Sequence, residues 1–232
     1  MRRNFLILFA VSVALSGCVN TIPPQTPAAH EDATTLNSNA TPENSKSASR
    51  AIVAASQSID ETWANGTFKA EYPVFNQPKF DDVIAQKISE LKENAAAFAS
   101  NPDFASETVV VEIQTEVIQA VQGVDLLFTI YTNVMGTVHP NERVETLSLD
   151  ADGNRLTADT LLANADLKAI LHNLSNKLQA ENPGYAISVE DYIAPTLENF
   201  RHVVRNSTGG IRIYFDEEYL PHAIGTVFID VP

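Results

Sequence analysis

From about Trp63 onward the apolar residues of this chain fall into periods that name the elements. Thr67 to Phe75 alternates weakly through Phe68, Ala70 and Tyr72 before Pro73 and Pro78, which predicts an edge strand and a turn. Phe80, Val83, Ile84, Ile88, Leu91, Ala95 and Phe98 then recur at steps of three and four. They form the apolar stripe of a helix whose Asp82, Lys87, Glu90 and Glu93 face away, ended by Asn101-Pro102. A period of two follows from Thr108 to Val117, with Val109, Val111, Ile113 and Val117 on one side and Glu112, Gln114 and Glu116 on the other. Gln122-Gly123 turns into a strand at Leu126 to Val134, and Arg143 to Leu149 supplies another before the polar turn Asp150-Ala151-Asp152-Gly153-Asn154. A second helix is predicted from Asp166 to Leu178, with Leu167, Ile170, Leu171, Leu174 and Leu178 on one face and Asn182-Pro183-Gly184 at its end. Ile211, Ile213 and Phe215, then Val227, Ile229 and Val231, read as two last strands. Strands joined by hairpin-length links and interspersed with helices imply an α+β fold, an antiparallel sheet with two helices packed on one face.

The first fifty residues have a different character. Arg2 and Arg3 precede an apolar stretch from Phe5 to Leu15, of secretory length and too short to span a membrane, and Leu15-Ser16-Gly17-Cys18 closes it. That pattern resembles the bacterial lipoprotein signal, which implies cleavage after residue 17 and acylation of Cys18; several acyl chains suffice for stable anchoring. Residues 18–50 are rich in Asn, Thr, Ser, Pro and Ala, a composition that does not offset the entropy of ordering, and read as a tether spanning very roughly 30 Å. His30 lies within it. Residues 60–232 then form a single α+β domain, with 60–105 as an upstream strand-helix module and 106–232 as a C-terminal module.

Charge and cysteine content narrow the chemistry. The chain carries 15 basic and 29 acidic residues, and losing Arg2 and Arg3 leaves 13 against 29, a formal charge of −16. Such a surface repels nucleic acid and suits a basic protein partner. Cys18 is the only cysteine, so its acylation leaves no thiol for disulfides, thiolate-bound zinc or nucleophilic catalysis.

Three segments of the second half resemble a known family. They are Gly136-Thr137-Val138-His139-Pro140-Asn141, the strand, Asp-Gly turn and Leu-Thr-Ala-Asp-Thr-Leu-Leu run within Leu147 to Leu162, and Tyr219-Leu220-Pro221-His222-Ala223-Ile224-Gly225. Together they are similar to the domain of unknown function found in lysozyme-sensing anti-sigma factors and next to the catalytic domain of some peptidoglycan deacetylases. Thr67 to Phe98 looks like the smaller module usually found just upstream. The resemblance covers about Trp63 to Pro232 and implies a non-catalytic envelope module related to peptidoglycan or to proteins that attack it.

Among single residues His139 comes first, as a base, a metal ligand, a sugar contact or a ring that pins its loop through backbone hydrogen bonds. His222 lies in a second family-like turn, and Asn141 beside His139 joins it as a ligand-binding candidate. Tyr131, Tyr214 and Tyr219 offer aromatic faces for a sugar or for sheet packing, with Tyr131 and Tyr219 retained as ligand-binding candidates. Asp216, Glu217 and Glu218 form an acidic run that reads as a solvated loop or as a dock for a cationic partner. Asp150, Asp152 and Asn154 mimic the opening of a calcium loop, but Gly153 comes one position early and Leu161 stands where the closing glutamate belongs, so a polar hairpin turn is expected and no metal or other cofactor. His172 and His202 stand alone among apolar or basic neighbours.

The reading that follows is a lipoprotein of the cell envelope, held to the membrane through Cys18. Val19 in place of the aspartate that retains such proteins at the inner membrane favours the outer membrane, facing the periplasm or the cell surface. Its domain binds peptidoglycan or a related glycan, or captures a cationic lysozyme-like protein, without catalysis; the competing class is a small cell-wall hydrolase with His139 as base.

Overall fold

The computed structural model describes residues 52–232 except 105, 120, 121, 138, 139, 184–187, 217 and 221–223. The leader, the tether and Cys18 therefore lie outside the described residues. Within them the chain builds two sheets. The first has six strands in sequence order: β1 (Ala55–Trp63), β2 (Gly66–Val74), β3 (Val109–Gln119), β4 (Val124–Val134), β5 (Asn141–Leu149) and β6 (Arg155–Leu156). The second has three: β7 (Val203–Arg205), β8 (Ile211–Phe215) and β9 (Val227–Val231). All pairings are antiparallel except β2 with β3, which run parallel from Gly66↔Val109 to Ala70↔Ile113. A parallel pair needs a crossover, and α1 (Pro78–Ala99) provides it. The first sheet is thus mixed rather than antiparallel.

The β2 segment lies inside the sheet, between β1 and β3, and not at its edge as the prolines suggest. Pro73 is accommodated because pairing with β3 stops at Ala70, before a missing N–H would matter on that side. The edge is β1, which starts ahead of the alternating pattern; it is polar and contributes little more than Ile59 and Trp63 to the core. At the turn after β1, Gly66 has no substitute: a Cβ there would sit 2.3 Å from the Val109 carbonyl oxygen. Gly123, at φ 95°, is required twice over, since its Cβ would also meet the Leu149 carbonyl oxygen at 2.0 Å.

Helix α1 begins with proline in its first turn, and the Asp81 carboxylate accepts hydrogen bonds from the backbone N–H of Phe75 and Gln77 at 2.8 and 2.9 Å. Phe80, Ile84, Ile88, Leu91, Ala95 and Ala99 bury its inner face against Phe68, Val111, Ile113, Leu126, Phe128, Ile130, Leu147 and Leu149. Each large side chain buried there is worth about 1.5–3 kcal/mol of transfer free energy. Phe98 belongs to the predicted stripe yet remains 40% exposed, with its ring 4.8 Å from that of Phe104. Lys87, read as outward-facing, is buried; its ammonium bonds Glu90 at 3.1 Å and reaches across to Glu145 on β5 at 3.2 Å.

The second sheet packs on the other side of the first. Asp125, Leu127, Val144 and Ser148 alternate with the residues facing α1, and Leu127 and Val144 meet Val204 and Tyr214. On its outer side the second sheet presents Val203, Ile213 and Phe215 to Leu171, Leu174 and Leu178 of α3 (Leu167–Glu181), whose N-cap Asp166 accepts from Lys168 and Ala169 N–H. The short α2 (Ala158–Leu161) follows β6 and packs Ala158 and Leu161 against the same core. The architecture is therefore helix, sheet, sheet, helix. Each long helix covers its own sheet, which corrects the expectation of both on one face of a single sheet.

Asp125 joins the two sheets. Its side chain has no exposed surface, and it receives Arg205 Nη2 at 2.6 Å and Nε at 3.2 Å as well as the Arg205 backbone N–H. Arg205 Nη2 also donates to the Leu149 carbonyl at 2.6 Å, and Ser148 Oγ donates to the Val203 carbonyl at 3.3 Å. Removing one partner of a buried, hydrogen-bonded pair strands the other. Asp125→Ala is therefore expected to lower stability by about 3–5 kcal/mol, read as a shift of the urea unfolding midpoint.

Candidate functional site

Among the described residues β5 pairs on its outer side only with β6, at Ser148 and Leu149, and Arg201, His202 and Glu218 stand beside the rest of that edge. Asp216 caps that edge. It is 1% exposed, its Oδ2 accepts from the Val144 N–H at 3.0 Å, and its Oδ1 accepts from the Glu218 N–H at 3.1 Å. The sequence offered Asp216 as part of a docking patch; burial removes it from that role and makes it a covering for unpaired strand backbone. Glu218 is half-exposed and paired with Arg201 Nη2 at 2.8 Å. Arg201 Nε donates to the Tyr219 hydroxyl at 2.7 Å, and its guanidinium lies over the Tyr219 ring. Burial pushes the Tyr219 hydroxyl up in pKa, with the Arg201 bond opposing. Tyr219 thereby packs edge-on against Phe215 and His202 rather than offering a free face.

A groove of about 320 Å³ opens between the C-terminal half of α1 and strands β3 to β5. Its walls are Leu91, Ala95, Phe98, Val111 and Ile130, and its polar groups are Asn94, Thr132, Asn141, Arg143 and Glu218. The volume is at the lower end of the range for small-ligand sites, and apolar walls with a few polar groups are their usual character. Arg143 and Glu218 also border a smaller hollow of about 130 Å³ with Glu145, Thr146, Arg201 and His202, so the groove continues around the β5 edge.

The structure brings together Asn141 and Glu218, one at the foot of the Gly136 loop and one beside the Tyr219 turn. His139, His222 and Glu217 lie outside the described residues. Tyr131 is on the opposite face of the sheet, between Glu112 of β3 and Glu142 of β5; burial first, then those two carboxylates, raise its hydroxyl pKa. Tyr214 packs between the sheets. The Asp150 turn is a hairpin closed on itself: Asp150 accepts from Asp152 N–H, Asn154 N–H and Asn154 Nδ2 at 2.8–2.9 Å, and the Asn154 side-chain bond is the main cause of its lowered pKa. Among the described residues no group of three His, Cys, Asp or Glu side chains is placed to hold a metal ion, and no helix is long and apolar enough to cross a membrane.

Arg143 and Asn94 were not singled out by motif reasoning, and His202 was set aside as standing alone. A signal existed for Arg143: it shares the parity of Glu145, Leu147 and Leu149, so period two already places it on the core-facing side of β5. His172 is exposed, with Nδ1 3.5 Å from Glu190. His202, by contrast, is 6% exposed at the floor of the smaller hollow.

No family model matches the chain, and no curated protein matches it. Among solved structures it is similar to a member of the DUF3298 family from Bacteroides fragilis, at 17% identity and a TM-score of 0.50, over 77% of this chain and 89% of that one. The likeness is one of fold, to an uncharacterised domain.

Burial pushes the His202 imidazole below its ordinary pKa, with Arg201 adding to the lowering and Glu145, Asp216 and Glu218 opposing it. A histidine depressed in the folded state binds fewer protons there than in the unfolded chain, so stability is present above about pH 6.5 and falls as pH drops below it. Unfolding free energy measured between pH 7.5 and 5 is expected to decline less steeply in His202→Gln than in the native chain.

Proposed function

We propose that this chain is a non-catalytic lipoprotein of the cell envelope whose folded unit binds peptidoglycan or a related glycan in the groove between α1 and the six-stranded sheet. One observation carries the reading. The groove combines an apolar wall, including the exposed Phe98 ring, with the hydrogen-bonding side chains of Asn94, Thr132 and Asn141, none of which is bonded to another described residue. Sugar rings present the same combination of apolar faces and hydroxyl edges. The similarity of the Gly136 and Tyr219 segments to an envelope-associated domain supports the same setting. Residues 18–50 would space the unit from an outer membrane entered by acyl groups on Cys18.

A second reading has its own support. The face of the first sheet left open beside the second carries Asp60, Glu71, Glu112, Glu116 and Glu142, with Lys69 as the basic residue among them. A cationic lysozyme-like protein fits that surface, and its association would be fast at low salt and weaken as ions screen it.

Purified peptidoglycan sacculi are expected to retain the folded unit, and Asn94→Ala/Asn141→Ala to weaken retention about tenfold, from the loss of one to two net hydrogen bonds. Absence of retention by the native chain would remove the glycan reading. A muropeptide turnover assay on the native chain and His139→Ala separates the binding module from the hydrolase class: turnover that disappears in a stably folded variant would favour the enzyme. Mass spectrometry of the mature N-terminus is expected to find diacylglycerol and an amide-linked acyl chain on Cys18, and an unmodified residue 18 would remove the proposed membrane attachment.

A further inference from the structure

Arg143 is half-buried in the groove and has no hydrogen-bond or ion-pair partner among the described residues. A guanidinium carries five N–H donors, and leaving it unpaired next to apolar walls is costly unless water or a ligand fills the place. The two carboxylates nearest it along the groove are already engaged: Glu145 is held by Lys87 at 3.2 Å and Glu218 by Arg201 at 2.8 Å. Those pairings leave the Arg143 guanidinium without a direct partner among the described residues, at the polar end of a cleft whose other walls are Leu91, Ala95, Phe98, Val111 and Ile130.

The geometry points to a ligand that carries a carboxylate on an apolar body, with the carboxylate held by the Arg143 fork and the body laid along the α1 side of the groove. A planar carboxylate matches a guanidinium through two parallel hydrogen bonds. A single negative charge suits the site better than a phosphate dianion, because Glu145 and Glu218 stand close by and Arg143 is the one basic side chain among the described residues that line the groove. Asn94 and Asn141 flank the same opening and supply amide donors for the remaining lone pairs. The inference rests on the groove proposed above as the glycan site and names the group it would recognise. Two sources share this chemistry, a free amphipathic acid and the acid group of a muropeptide.

The test is isothermal titration of the folded unit with decanoate, decanamide, monomeric muropeptides bearing free carboxylates, and chitotetraose as a neutral glycan. For the native chain, decanoate or the acidic muropeptides bind and decanamide binds at least about tenfold more weakly, the worth of one charge-assisted hydrogen-bonded contact. Arg143→Gln loses that preference by the same factor, while Arg143→Lys, which keeps the charge without the fork, falls between. Thermal unfolding of both variants near the native midpoint ties the loss to the side chain rather than to the fold. If Arg143→Gln binds both acids as well as the native chain does, or if neither acid binds, the inference is overturned. Retained chitotetraose binding in that case leaves the glycan reading standing. Conversely, Arg143-dependent binding of decanoate with no binding of chitotetraose, muropeptides or sacculi upholds the inference and removes the glycan reading.

Discussion

A carboxylate without exposed surface holds the two halves of this molecule in register. Asp125 sits on β4, on the face turned away from α1, and collects both the side chain and the backbone N–H of Arg205 on β7. The apolar contact between the sheets is small, Leu127 and Val144 against Val204 and Tyr214 with Ile118 beside them, whereas each sheet has a much larger core with its own helix. A directional, charge-assisted pair therefore fixes what a modest greasy contact would leave free to slide. The groove depends on that placement, because Arg201, His202 and Glu218 reach the β5 edge only when the second sheet is seated correctly.

Much of the first sheet was legible as periodicity. The alternation of Val109, Val111 and Ile113 and the three-four stripe from Phe80 to Ala95 depend on burial against a single neighbour, and that is the information a repeat of apolar residues encodes. What escaped was whatever depends on two neighbours at once. Val203-Val204-Arg205 is too short to show a period, and both its faces are buried, so β7 carried no alternation. The parallel pairing of β2 and β3 was hidden because hairpin-length gaps elsewhere favour an antiparallel meander, and only the presence of α1 between them marks the crossover.

The site was legible in part, for a related reason. Asn141 was offered as a ligand contact and Glu218 as part of an acidic dock, and both border one groove. Asp216 was misplaced because an acidic run beside a strand end looks solvated, while its first member turns inward to cap the Val144 N–H. Lys87 shows the same effect on α1, where an apparently outward lysine finds Glu145. A charged residue opposite a complementary charge on a distant element cannot be recognised from local spacing. Arg143 is the counterexample: it lacks such a partner among the described residues, and its parity on β5 was readable.

The polar outer strand β1 (Ala55–Trp63) opens the first sheet and is its exposed edge. It pairs with β2 alone and places only Ile59 and Trp63 against the core. Any pull applied ahead of Ala55 therefore enters at the element with least to lose. With one neighbour and two core side chains, β1 is placed to peel as a mechanical fuse ahead of α1 and the deeper strands.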